Sequence, residues 1–113
     1  MADSGSATGV SYTCYAYKNP FSDYVTMSTN DTARHYCLQL NNVLYANATM
    51  TRLMNGTIDY ITKYKSGTNS YTFNTSADSG FGYALQSAST THYVTRACEG
   101  GTISATAHGY CAP

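Results

Sequence analysis

The sequence predicts an α+β domain in which one amphipathic helix packs on an antiparallel β-sheet. Three observations carry that prediction. Ala33, Cys37, Leu40 and Leu44 recur at spacings of four, three and four, the period of one helix face. From residue 57 onward the apolar period falls to two, the period of a strand. Short clusters of Ser, Gly, Asn and Asp then separate the alternating runs, as in a meander. A chain of 113 residues suits one domain with a modest core.

The elements follow in order. Residues 1–9, MADSGSATG, read as a disordered leader of small residues, without the charged and apolar regions of a signal peptide. The single domain then spans 10–113. Residues 10–17, VSYTCYAY, are β-prone, and Asn19-Pro20 marks a turn. Residues 21–28 can make a second short strand, with Phe21, Tyr24 and Val25 apolar but in no clear period. The helix is expected over 29–45, with Thr29 or Asn30 as N-cap, Asp31 in the first turn, Cys37 on the buried face and His35 half exposed. In 57–65, Ile58, Tyr60, Thr62 and Tyr64 take one side, while Asp59, Ile61, Lys63 and Lys65 take the other. Strands at 70–75, 81–85, 91–98 and 102–111 complete the meander, and 81–88 also fits a short helix. One amphipathic helix is the natural cover for one sheet face.

Four cysteines at 14, 37, 98 and 111 include no CxxC pair and no zinc-finger spacing. An even, widely spaced set in a small Tyr- and Thr-rich chain points to two disulfides. Three pairings are open. The nested one, Cys14–Cys111 with Cys37–Cys98, is the reading adopted, and its outer bridge ties the first strand to the last. Four sequons, at Asn30, Asn47, Asn55 and Asn74, fit secretion but occur readily by chance in a chain so rich in Ser and Thr.

Composition narrows the function classes. Lys plus Arg equals Asp plus Glu at six each, which argues against strong sequence-independent nucleic-acid binding. No apolar segment is long enough to span a bilayer. Only 11% of residues are charged and twelve are tyrosine, so the surface is built from hydroxyls. No cofactor motif and no metal-ligand set occurs. Gly80-Phe81-Gly82 lacks the lysine and helix start of a phosphate loop.

An early Tyr-x-Cys (Tyr12-Thr13-Cys14), a helix next, a meander and a closing Cys111 resemble the RNase-like secreted effectors of powdery mildew fungi. The resemblance spans residues 12 to 111 in element order. It implies the fold of fungal guanyl-specific ribonucleases, generally without their catalytic residues. It also implies a secreted virulence protein, of a kind that can be delivered into host cells, that binds a host protein such as a plant immune receptor. Small killer toxins with an α/β sandwich and several disulfides are the competing family, which a helix at 81–88 favours.

A cyclising ribonuclease needs a base, an acid and a cation on the phosphate. The only glutamate, Glu99, falls in a predicted turn. A substitute set is Asp59 as base, His108 as acid, and His92 with Arg96 on one side of their strand. Val94 and Cys98 share that side, which makes it the core side, so the expectation is a non-catalytic protein. Tyrosine offers large contact area at small entropy cost. The expected binding surface is therefore Tyr60 and Tyr64 beside a modest cationic patch of Lys63, Lys65 and Arg96. That patch suits a protein partner or weak RNA contact on a monomer.

Overall fold

The computed structural model describes residues 2–33, 42–68, 70–98 and 101–113, with only the backbone of Cys98 and Ile103. Eight strands are present: β1 (Ala2–Ala7), β2 (Val10–Tyr17), β3 (Tyr24–Asp31), β4 (Asn42–Met54), β5 (Thr57–Thr68), β6 (Thr72–Asp78), β7 (Ala84–Cys98) and β8 (Gly101–Cys111). They form two four-stranded antiparallel sheets. Sheet A has the order β1-β2-β3-β6 and sheet B the order β5-β4-β7-β8.

This corrects the α+β, ribonuclease-like prediction. Among the described residues there is no helix. The two ends of the expected helix are strands: residues 29–31 close β3 and residues 42–45 open β4. Its centre, 34–41, lies outside the described residues, and Cys37 and His35 with it. The physical reason is visible in β4. Asn42, Leu44, Ala46, Ala48 and Met50 alternate inward, so Leu44 satisfied a helical and a strand period at once. Alanine is a poor strand signal, yet its small side chain suits the gap between two close sheets. Nor do the strands form a meander, because the chain changes sheet at β3→β4, β5→β6 and β6→β7.

Residues 2–7, expected within a disordered leader, pair with β2 as an edge strand. The ambiguous segment 81–88 resolves as a loop through Tyr83 and the start of β7. There Ser87 faces Thr51 and Leu85 faces Arg52, which leaves Gln86 as an extra residue in a bulge. The bulge puts Leu85 and Ala88 both inward, three residues apart, and so mimics a helical period. Asn55-Gly56, both at positive φ, joins β4 to β5 in the tight turn that twisted hairpins favour.

The core lies between the sheets in two clusters. Cys14, Val25, Met27, Met50 and Leu85 with several alanines make one, and Val10, Tyr12, Leu44, Val94 and Ala107 make the other. Cys14 of β2 is bonded to Cys111 of β8, with Cα atoms 6.1 Å apart and a sequence separation of 97. Beside it, the Tyr110 amide donates to Asp3 Oδ2 at 2.9 Å, a second tie between the sheets at this edge. The bridge expected between Cys37 and Cys98 falls on side chains outside the described set.

Candidate functional site

Alternation in β7 sends His92, Val94 and Arg96 inward between the sheets. His92 is fully buried. Tyr12 stacks on its ring at 4.5 Å, and the Tyr12 hydroxyl donates to Asp3 Oδ2 at 3.0 Å. His92 Nδ1 meets Thr29 Oγ1 at 3.0 Å, and Nε2 meets Thr90 Oγ1 at 2.8 Å. The Thr29 hydroxyl already donates to the Tyr45 carbonyl at 2.8 Å. It must therefore accept from Nδ1–H, which assigns the proton to Nδ1 and leaves Nε2 to accept from Thr90. Burial, helped by the nearby charge of His108, brings this imidazole down to about 4. His92 is thus a neutral, fully bonded interior group.

Arg96 is buried as well and gives a two-pronged ion pair to Asp31 through Nε, at 3.0 Å, and Nη2. Asn42 Nδ2 adds a bond to Asp31 at 2.9 Å and another to the Ser70 carbonyl at 2.8 Å, and Ser70 N–H returns one to Asn42 Oδ1 at 3.0 Å. Burial alone would raise the Asp31 carboxyl, but the bonds from Arg96 and Asn42 outweigh it and hold the group below the usual carboxylate range.

The remaining members of the substitute catalytic set lie elsewhere. Asp59, on β5, accepts two bonds from Arg52 at 2.7 and 3.2 Å. It faces Arg52 on β4 while His92 faces Ala46, six residues away along that strand. At about 3.3 Å per residue this is roughly 20 Å. His108 sits on the outer face of sheet B beside Thr91, on the side opposite His92. No two of Asp59, His92 and His108 meet, and Arg96 is committed to Asp31. Among the described residues no group of His, Cys, Asp and Glu has the arrangement of a metal site.

The expected binding surface is divided in the same way. Tyr60 and Tyr64 point outward from β5, whereas Lys63 and Lys65 take its core-facing side and Arg96 is interior. What the outer face of sheet B gathers instead is aromatic and neutral. Tyr45 packs against Tyr64 at 5.4 Å and against Tyr93 at 5.5 Å, across three neighbouring strands. Burial, then the neighbouring Tyr45, pushes the Tyr64 phenol up. Asn47 lies one step along β4 on the same face, between Tyr64 and Thr91. Its Oδ1 is buried and has no hydrogen-bond partner, a costly state.

The charges explain why this face is neutral. Lys18 pairs with Asp23 at 3.1 Å, Arg52 with Asp59, Lys63 with Asp78 at 4.0 Å, and Arg96 with Asp31. Of the charged side chains among the described residues, only Asp3 and Lys65 stand outside these pairs. Asp3 is engaged by Tyr12 and by the Tyr110 amide, which hold its carboxyl below the usual range. The outer face of sheet B carries no Asp, Glu, Lys or Arg along β4, β5, β7 or β8. Sequence reasoning missed Asn47 as a site residue, although its place in an alternating run with Tyr45 was a usable signal.

The class defined by these features is a disulfide-tied, all-β sandwich with a polar interior and an uncharged tyrosine face. Compared with known proteins, the chain matches no family model, no curated protein and no solved structure. Among the described residues no helix is long and apolar enough to cross a membrane.

Proposed function

We propose that the protein is a non-catalytic recognition module that binds a protein partner through the outer face of sheet B. One observation carries this reading. Asn47 Oδ1 is left buried and unsatisfied beside Tyr64, one step along β4 from the Tyr45–Tyr93 contact, on a face that carries no Asp, Glu, Lys or Arg. A partner that shifts the side chains covering it and inserts a donor there would complete the bond, and the three rings supply contact area that costs little side-chain entropy. The Cys14–Cys111 bond suits an oxidising compartment, which supports export from the cell. The effector likeness adds a host protein, an immune receptor included, as the class of partner. Its Tyr-x-Cys and terminal cysteine remain in place, while both ends of the helix it included are strands and the centre lies outside the described residues.

The reading is tested in two arms. In the first, purified protein is incubated with single-stranded RNA, and no turnover is expected. In the second, a displayed library of plant proteins is screened with the wild type and with Tyr45→Ser, Tyr64→Ser and Tyr93→Ser. Each tyrosine substitution should weaken a selected partner by about tenfold or more. RNA turnover by the wild type, or a partner indifferent to all three substitutions, would refute the proposal.

A further inference from the structure

The outer face of sheet A is built differently from that of sheet B. Thr13, Ser28 and Asn74 form one row across β2, β3 and β6, and Tyr15, Thr26 and Ser76 form the next. Thr13, Thr26, Ser28, Asn74 and Ser76 line a shallow trough of about 520 Å³. Tyr15, 48% exposed, stands next to Thr26 in the second row, just outside this lining. Its ring stacks on Tyr17 at 5.6 Å, and Tyr17 stacks on Tyr24 at 5.7 Å, so the wall is three rings deep and held upright. On the floor, the Thr13 and Ser28 hydroxyls are bonded at 2.5 Å. Strand pairing on both sides of β3 makes the floor rigid before any ligand arrives, which lowers the ordering cost of binding.

We propose that this trough binds a neutral oligosaccharide, with Tyr15 as the stacking wall and the two Ser/Thr/Asn rows as the hydrogen-bonding floor. A sugar ring has an apolar C–H face and a rim of hydroxyls. Each of those hydroxyls donates and accepts. Tyr15 matches the first feature. The floor matches the second, because Ser and Thr hydroxyls and the Asn amide also do both. Charge argues against the alternatives. The trough has no cation for a phosphate or carboxylate, and the nearest charged side chain on this face is Asp78, in the row beyond Ser76 and paired with Lys63. A peptide strand would instead seek a sheet edge such as that of β6. The proposal concerns a different face from the protein-binding reading and stands without it.

Titration calorimetry of bacterially produced protein tests the idea; Asn74 heads a sequon, and this source leaves it bare. The probes are cellohexaose, laminarihexaose, chitohexaose and a high-mannose glycopeptide, which separate wall polysaccharide from protein-linked glycan. Polygalacturonate and poly(U) are the anionic comparators. At least one neutral probe is expected to bind. Tyr15→Ala should weaken it by about tenfold, Thr26→Val by a few-fold, and Tyr93→Ser on the opposite sheet not at all. Three outcomes would overturn the proposal: no heat from any neutral probe up to about 10 mM, unchanged affinity in Tyr15→Ala, or tighter binding of polygalacturonate or poly(U).

Discussion

His92 should make the fold lose stability in mild acid, well before its carboxylates titrate. The ring is buried and neutral, with Nε2 committed as an acceptor from Thr90 and no carboxylate bonded to either nitrogen. Protonation would force a second donor onto Nε2 inside the sandwich. The native group titrates at about 4, against about 6.5 in an unfolded chain. The unfolded state therefore takes up the proton first as pH falls, and stability drops with it. This contribution is whole above about pH 6.5 and gone below about pH 4. Each tenfold in proton affinity is worth about 1.4 kcal/mol, so the whole effect is about 3 kcal/mol, of which about 2 kcal/mol is lost between pH 7 and pH 5. Asp3, Asp23 and Asp31 are all held below the usual carboxylate range, so their stabilising contributions are lost only at lower pH. Urea unfolding at pH 7, 6 and 5 would be compared for the wild type and His92→Gln. The wild-type curve should fall by the stated amount and the variant curve should be nearly flat. Parallel curves, or a His92 ring that titrates near 6.5 by NMR, would refute the reasoning.

Further outcomes follow from the same interior. Removing the clasp with Cys14→Ser and Cys111→Ser should cost about 4–5 kcal/mol in the chain-entropy account, given a loop of this length; an unchanged urea midpoint would show that the bond does not constrain the unfolded chain. Arg96→Met strands the buried Asp31 carboxylate and should cost about 3–5 kcal/mol, with much of the loss recovered in the Arg96→Met, Asp31→Asn double variant. Gly109→Ala places a methyl group inside contact distance of the Tyr12 ring and the Thr90 hydroxyl. It should cost about 1–3 kcal/mol in thermal unfolding and displace Tyr12 from His92, which the His92 ring shifts would report.

Much of the strand content was legible, and the reasons for the rest are local. The alternation in 57–65 assigns Ile58, Tyr60, Thr62 and Tyr64 to one side and Asp59, Ile61, Lys63 and Lys65 to the other, and the β4–β5 register has the same division. The Val, Tyr and Thr crowding of 10–17 marks β2. β4 stayed hidden because Ala46 and Ala48 carry its inward face, and alanine favours helices in isolation. The turn that ends it was available in Asn55-Gly56, the strongest short hairpin signal. The interior polar groups had no local signature at all. Asp31 and Arg96 are 65 residues apart and meet only where the two sheets pack, and Asp23 and Ser79 are 56 apart and meet only through the pairing of β3 with β6. For the same reason His92 and Arg96, plausible together on one side of a strand, proved to have separate partners.

Lys63 and Lys65 look wasteful where they are, on the inward side of a long threonine- and tyrosine-rich strand. β5 is nevertheless the rim of its sheet, with no strand paired to its outer margin among the described residues. Another molecule that lengthened the sheet there would have to bury two ammonium groups, one already tied to Asp78. Charge on the inward side of a rim strand thus opposes strand addition, in a chain whose net charge of zero offers little general repulsion between copies.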